Sequence, residues 1–300
     1  MTKGRGGAAG LYPGSLTRLR SGAIVLLWHR KESRAGAESE TVSVPEYSVS
    51  RDGGMSWSTP RLFPIEAPTA ATSCRHPLLE LDDGRWVLTC TDRTLCYDPA
   101  LDEISSFGDG RTHGMVPLVA VAGTGTLISG APAEHWSGFI EVGNTNVQPR
   151  PWTPDGADDD AALALGLRSE DQGLSWVPIR QLGEFRVCGY DLTALANGWV
   201  VHTVVDYQDG DDGEVYEAGI SLWLSIDGVS FDSRKAVEVY QPSRRVLGRS
   251  WPRTVELDSE TVGTVFYDLA MDEQRPPAVL FVATPLSAFG RTDSSTQTRL

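Results

Sequence analysis

The chain is poor in several features, and each shortage excludes something. Only four of its 300 residues are cysteine (Cys74, Cys90, Cys96 and Cys188). None forms a C-x-x-C pair, which argues against a zinc ribbon or a dithiol redox site and for free, mostly buried thiols. Positive charge is short as well: 26 Lys and Arg against 40 Asp and Glu leave a formal charge of −14. Such a chain repels a phosphate backbone, so nucleic acid is not an expected partner. No apolar run spans a bilayer, since the stretch Ile24 to Trp28 is broken at once by His29 and Arg30. The first residues lack the apolar segment of a secretory signal, so the sequence as it stands reads as cytoplasmic, or as secreted if its N-terminus is truncated. Helical periodicity is sustained nowhere. G-x-S-x-G is missing, Gly123 to Gly125 is no phosphate loop, and His113, His135 and His202 stand apart from any dense metal-ligand spacing.

What the chain does have is 40% hydrophobic residues, 31 Gly, 18 Pro and nine Trp, enough for a large core interrupted by many turns. A short apolar strand, a tight Gly turn and a second apolar strand recur in SLTRLRSGAIVLLW, PLLELDDGRWVLTC, PLVAVAGTGTLISG, DLTALANGWVVHTVV and RTVELDSETVGTVFY. Each reads as a β-hairpin. The glycines assigned to the turns are Gly22, Gly84, Gly125, Gly198 and Gly263, separated by 62, 41, 73 and 65 residues, or about one unit per sixty.

A second motif runs in the same period. Ser50, Asp52, Gly54 and Trp57 fit S-x-D-x-G-x-x-W, as do Ser169, Asp171, Gly173 and Trp176. Ser225, Asp227 and Phe231 fit it with one residue deleted and Phe in place of Trp. The chemistry is that of a turn: Asp accepts backbone N–H bonds, Gly supplies the unusual φ, and the aromatic ring packs beneath, between sheets. These Asp residues are therefore read as structural.

With these motifs the chain resembles the sialidase, or neuraminidase, superfamily of Asp-box (BNR-repeat) β-propellers over residues 11–286. The resemblance implies an all-β fold of four-stranded antiparallel blades in a single domain, with residues 1–10 and 287–300 as flexible tails. Six blades are usual in that family, and five repeats are visible here; a sixth would either hide in the long third unit, where SGFIEVG reads as an extra strand, or be absent through truncation, and Gly4 to Gly10 is too Gly-rich to supply the last unit's fourth strand. The family places its Asp-box opposite the active site. Antiparallel order then puts the starts of first strands and the ends of second strands on the functional face.

Those positions hold Tyr12, His29-Arg30, Arg75-His76, Asp92-Arg93, Tyr190-Asp191, Asp206-Tyr207, Arg253 and Tyr267-Asp268. Arg, whose planar fork fits a carboxylate, makes Arg30, Arg75, Arg93 and Arg253 candidates for substrate binding, with His76, Asp191 and Tyr207 beside them. Cys74-Arg75-His76-Pro77 is similar to the family's first Arg motif. The resemblance implies hydrolysis of a terminal acidic sugar from a glycan, with a Tyr nucleophile that avoids repulsion from the substrate's carboxylate. Tyr267 is the expected nucleophile, Asp92 the acid/base, and Asp268 lies beside them. The rivals are a non-catalytic propeller that binds glycan or protein, and a propeller lyase acting on uronic acids. The acidic stretches Asp155 to Asp160 and Asp206 to Glu214 offer carboxylates of the kind that bind Ca²⁺, but without EF-hand spacing they read as solvated loops. No cofactor is expected, and a monomer is.

Overall fold

The computed structural model describes residues 11–33, 41–69, 72–74, 76–90, 93–107, 118–121, 124–130, 164–175, 177–182, 187–209, 215–227, 231–232, 235–242, 252–268 and 278–290. The stretch SGFIEVG, the N-terminal glycines, the loop Asp155 to Asp160, His113 and His135 lie outside the described residues.

Period-two patterning explains the strands. In the segment Ile24 to Arg30, Val25, Leu27 and His29 are buried, whereas Ile24, Leu26, Trp28 and Arg30 alternate with them at intermediate exposure. Five antiparallel sheets result. The first is β1 (Leu11–Arg18), β2 (Ile24–Ser33), β3 (Thr41–Ser50) and β4 (Arg61–Leu62). The second is β5 (Leu79–Glu80), β6 (Trp86–Thr89), β7 (Thr94–Asp98) and β8 (Glu103–Ser106). The third holds β9 (Leu118–Ala120), β10 (Leu127–Gly130), β11 (Ala164–Ser169) and β12 (Val177–Leu182), with β16 (Phe231–Asp232) added in parallel to β12. The fourth is β13 (Val187–Ala194), β14 (Val200–Asp209), β15 (Val215–Ser225) and β17 (Val237–Tyr240). The last has three strands, β18 (Arg253–Asp258), β19 (Thr261–Asp268) and β20 (Ala278–Pro285). These meandering sheets are the blades of an all-β, five-bladed propeller.

The blades fall into two compact units. One is built on the described residues up to Leu118, with residues 173–175; the other takes in most of the remainder. In the first unit a single core joins the first two sheets through Val25, Leu27, Tyr47, Leu88 and Tyr97. In the second, Val121, Ile128, Val204 and Trp223 join the third sheet to the fourth, while Val205, Ile220 and Phe266 join the fourth to the last.

The sixty-residue repeat reappears as hydrogen bonds between successive blades. Thr17 Oγ1 donates to the Leu78 carbonyl and the Arg20 N–H to Glu80, across 61 and 60 residues. In the second unit Thr193 Oγ1 donates to the Thr254 carbonyl and the Ala196 N–H to Glu256, again across 61 and 60 residues. Corresponding strands thus hold corresponding neighbours.

Four of the assigned turn glycines, Gly22, Gly84, Gly125 and Gly198, have φ between 71° and 87°, where a Cβ is unfavourable. Gly263 is a correction. It lies inside β19, where an added Cβ would sit 2.7 Å from the Phe281 ring. The turn itself falls at Ser259-Glu260, closed by the Glu260 N–H donating to Asp258 Oδ1 at 2.9 Å. A carboxylate does there what glycine does elsewhere.

The three Ser-x-Asp turns fold alike at their start. Ser50, Ser169 and Ser225 each donate a hydroxyl to the Asp two residues on, at 2.8 Å in every case. In the first turn Asp52 also accepts from the Ser56 N–H and hydroxyl. These bonds, led by those from Ser56, hold its carboxyl down to about 2. Trp57 differs from expectation: it is 39% exposed and donates its indole N–H to its own Gly54 carbonyl at 3.1 Å. The ring braces the turn it belongs to and does not fill the space between sheets. Trp176 lies outside the described residues, and only the backbone of Phe231 is described. Asp52→Ala is expected to lower the melting temperature by a few degrees near neutral pH. That deficit should shrink as pH falls from 3.8 through about 2, because the folded-state bonds to ionised Asp52 are lost in that window. Calorimetry across that range checks it.

Candidate functional site

Two polar clusters stand at the positions marked by the sequence, one in each unit. In the first unit, Arg30 on β2 shares a face with Trp28, and the paired strand β3 brings Glu46 opposite Trp28. Glu46 is buried; it accepts from the Trp28 indole N–H at 2.8 Å and from Arg30 Nη1 at 3.1 Å. Arg30 Nη2 also meets Glu32 at 2.6 Å. Two carboxylates thus hold Arg30, so an incoming anion must compete with both. His29, the next residue along, points to the opposite face and into the core. His76 is buried, its carbonyl accepting from the Ser15 hydroxyl at 2.7 Å. Arg93, immediately before β7, is partly exposed. Arg75 and Asp92 lie outside the described residues.

In the second unit, Asp191 on β13 is 4% exposed. Its carboxylate accepts from the Thr254 N–H at 2.8 Å and faces Arg253 Nη1 at 3.5 Å. Burial outweighs both contacts and pushes this carboxyl from 3.8 up to about 6, with Arg253 and the Thr254 N–H opposing. A chain of hydroxyls closes beneath: Thr203 to Thr254 at 2.6 Å and Thr254 to Thr264 at 3.0 Å. Arg253 remains partly open to solvent, its side chain 31% exposed.

Beyond it, Tyr240 at the end of β17 donates its hydroxyl to Asp268 Oδ1 at 2.6 Å, joining the fourth sheet to the last. Its ring packs on Phe266 with centroids 4.8 Å apart. Asp268 and Tyr267 are successive strand residues and therefore face opposite sides. Tyr267 lies on the outer face, 48% exposed, level with Val279 and beside exposed Val265 and Phe281. Asp206 and Tyr207 fall within β14, which runs on to Asp209, and the side chains of both lie outside the described residues.

Sequence reasoning missed Glu46 and Tyr240. Both sit on third or fourth strands, whereas the rim was read only from first and second strands. Among the described residues no group of three or more His, Cys, Asp or Glu could hold a metal ion. No described helix is long and apolar enough to cross a membrane.

No protein-family model matches the chain, and no curated protein matches it in sequence. Solved structures do. A protein of unknown function from Dyadobacter fermentans is similar with a TM-score of 0.56 at 14% identity, over 89% of this chain and 74% of that one. NanB, solved with Optactamide, gives 0.57 at 11% identity; the match covers 96% of this chain but 57% of NanB. The α-L-arabinanase of Penicillium chrysogenum, complexed with arabinobiose, gives 0.50 at 14% identity, over 90% of this chain and 80% of that one. At such identities the likeness is one of fold.

Proposed function

We propose that this chain is a carbohydrate-active propeller of the sialidase-like kind, hydrolysing a terminal acidic sugar from a glycan. The observation that carries the reading is the Tyr240–Asp268 hydrogen bond at 2.6 Å, at the strand end where Arg253 also emerges. A phenol attacks an anomeric carbon only if its proton has somewhere to go, and an adjacent carboxylate takes it. Fold likeness to an arabinanase solved with arabinobiose supports a carbohydrate substrate.

The mechanism follows from those groups. Arg253 meets the sugar carboxylate through its guanidinium fork. Tyr240 attacks the anomeric carbon while Asp268 accepts the phenolic proton. A carboxylic acid protonates the departing oxygen and later activates the water that releases the sugar. Arg30, Arg75, Arg93 and His76 in the first unit, and Asp191 and Tyr207 in the second, are kept as proposed substrate-binding residues, each within its own unit. Tyr267 is the alternative nucleophile, but Tyr240 is the tyrosine whose hydroxyl meets Asp268.

Asp191 sets a pH dependence on Arg253. Below about 6 its carboxyl is protonated and releases the guanidinium to the substrate; above it, the ionised carboxylate competes. Substrate affinity should therefore weaken as pH rises through that value, and Asp191→Asn should flatten the profile.

Release of fluorophore from a fluorogenic sialoside tests the reading. Tyr240→Phe is expected to lower kcat by roughly 10²-fold or more, and Arg253→Ala to raise KM with a smaller effect on kcat. Equal turnover by wild type and Tyr240→Phe would remove the proposed nucleophile. No turnover by wild type would favour the second reading, a glycan-binding propeller without catalysis. That reading draws support from Arg30, whose charge two carboxylates of its own chain already balance.

A further inference from the structure

The second sheet carries two cysteines that the glycosidase reading does not use. Cys74 and Cys90 form an isolated antiparallel β-bridge, Cys74 upstream of β5 and Cys90 directly after β6. Both are fully buried, and their Sγ atoms lie 2.8 Å apart, closer than non-bonded sulfur atoms rest. Directly opposed residues of an antiparallel pair have Cα separations within the range a disulfide spans. Alternation singles out this pairing within the sheet. Trp86, Leu88 and Cys90 share one face with Leu95 and Tyr97 and pack in the same core as Cys74. Cys96 is paired with Val87 on the other face, where Arg85 approaches it.

We propose that Cys74 and Cys90 are an oxidisable pair that closes an intrachain disulfide by exchange with a low-molecular-weight disulfide of the glutathione type. One thiolate attacks the small disulfide, forming a mixed disulfide and releasing one small thiol. The second thiolate attacks the protein sulfur of that mixed disulfide, forming the Cys74–Cys90 bond and releasing a second small thiol. Two protein thiols are oxidised, one small disulfide is reduced to two thiols, and the two protein protons end on those thiols. The bond closes a loop across 16 residues of sequence, which limits the freedom of the unfolded chain. It also ties the two ends of this hairpin together where Arg75 and Asp92 follow. Any effect on turnover rests on the glycosidase reading, through those two residues; the bond itself does not.

The test uses the full chain, denatured, reduced and refolded in mixtures of reduced and oxidised glutathione, so that burial does not block the reagent. Free thiols are then alkylated in denaturant and the protein is digested and mapped by mass spectrometry. The expected result is a single linked pair, Cys74 with Cys90, lighter than the two free peptides by two hydrogens, with Cys96 and Cys188 alkylated. The oxidised protein should melt several degrees above the reduced one, and Cys90→Ser should abolish both the link and the difference. Recovery of Cys74 and Cys90 as alkylated thiols or as stable glutathione adducts, with the protein folded, would overturn the proposal. Wild-type mapping decides it even if the variant fails to fold, and sialoside turnover, measured in parallel, reads only the other hypothesis.

Discussion

Tyr97→Ala is expected to destabilise the first unit by about 3–5 kcal/mol, the range for removing a large buried aromatic side chain. Tyr97 is fully buried and stands at the centre of an aromatic cluster. Its ring lies 5.0 Å from Phe63 in an edge-on arrangement, 5.6 Å from Trp86 and 5.9 Å from Tyr47. Because Tyr47 and Phe63 come from the first sheet region and Tyr97 from the second, the cluster holds two blades together. The hydroxyl adds polar bonds: it donates to Asp102 at 2.7 Å and sits 2.9 Å from the Tyr47 hydroxyl. Asp102 in turn meets Arg61 at 3.2 Å. Burial, with those two partners, raises the phenol above its ordinary value and keeps it protonated. Tyr97→Phe keeps the ring and loses only the hydroxyl, so about 1–3 kcal/mol is expected, mainly from the Tyr47 hydroxyl left without its partner. Urea unfolding of both variants checks the ratio. Equal losses would mean that the hydroxyl network, and not the ring, joins the blades.

That cluster shows where part of the chain's aromatic content goes. Trp86 faces Tyr97 directly, and Trp223 in the second unit is buried among Val204, Val200 and Leu192. Such residues fill the wedge between neighbouring blades, while Trp57 remains at the surface on its turn. The hairpins were legible because period-two burial is written plainly in stretches such as Ile24 to Arg30, and because four turns require a glycine φ. The fifth was misplaced by three residues or so, since a side-chain carboxylate can close a turn and leaves no glycine to find. The sixty-residue period was legible too, because it fixes which strands become neighbours.

The site was legible only in part, for a geometric reason. Strand ends were inferred from where apolar runs stop, yet backbone pairing continues past them: β2 reaches Ser33 and β14 reaches Asp209. Arg30 therefore lies within a strand and meets a partner on the next strand. The partners that decide the chemistry of such residues come from elsewhere in the chain. Glu46 is 18 residues from Trp28, and Tyr240 is 28 residues from Asp268 on a different blade. A linear reading of strand termini has no access to such pairs, because they depend on register and on which face each residue takes.

Register also produces the second large effect, an opposition between two buried groups on the two faces of one sheet. In β13 and β14, Asp191 is paired with Thr203 and Leu192 with His202, so Asp191 faces the last blade and His202 faces the third. Burial drives their pKa values in opposite directions, Asp191 from 3.8 up to about 6 and His202 from 6.5 down to about 4. Between 3.8 and about 6 the unfolded chain gives up a proton that folded Asp191 keeps, so this group makes stability fall as pH rises. Between 6.5 and about 4 the unfolded chain takes on a proton that folded His202 refuses, so this group makes stability fall as pH drops. Each effect amounts to about 3 kcal/mol when fully developed, and across the shared window they cancel. Removing one exposes the other. Relative to wild type, His202→Gln should lose about 3 kcal/mol of stability on going from pH 4 to pH 6.5, and Asp191→Asn should gain about as much. Taking each variant minus wild type removes the titration of the remaining carboxylates, which is large in a chain with 40 acidic residues. Urea midpoints measured in half-unit steps of pH read the difference. Parallel curves for all three proteins would show that neither group holds a shifted proton; two lines of opposite slope would show that the fourth blade keeps a near-neutral carboxyl beside Arg253 and an uncharged imidazole on its other face.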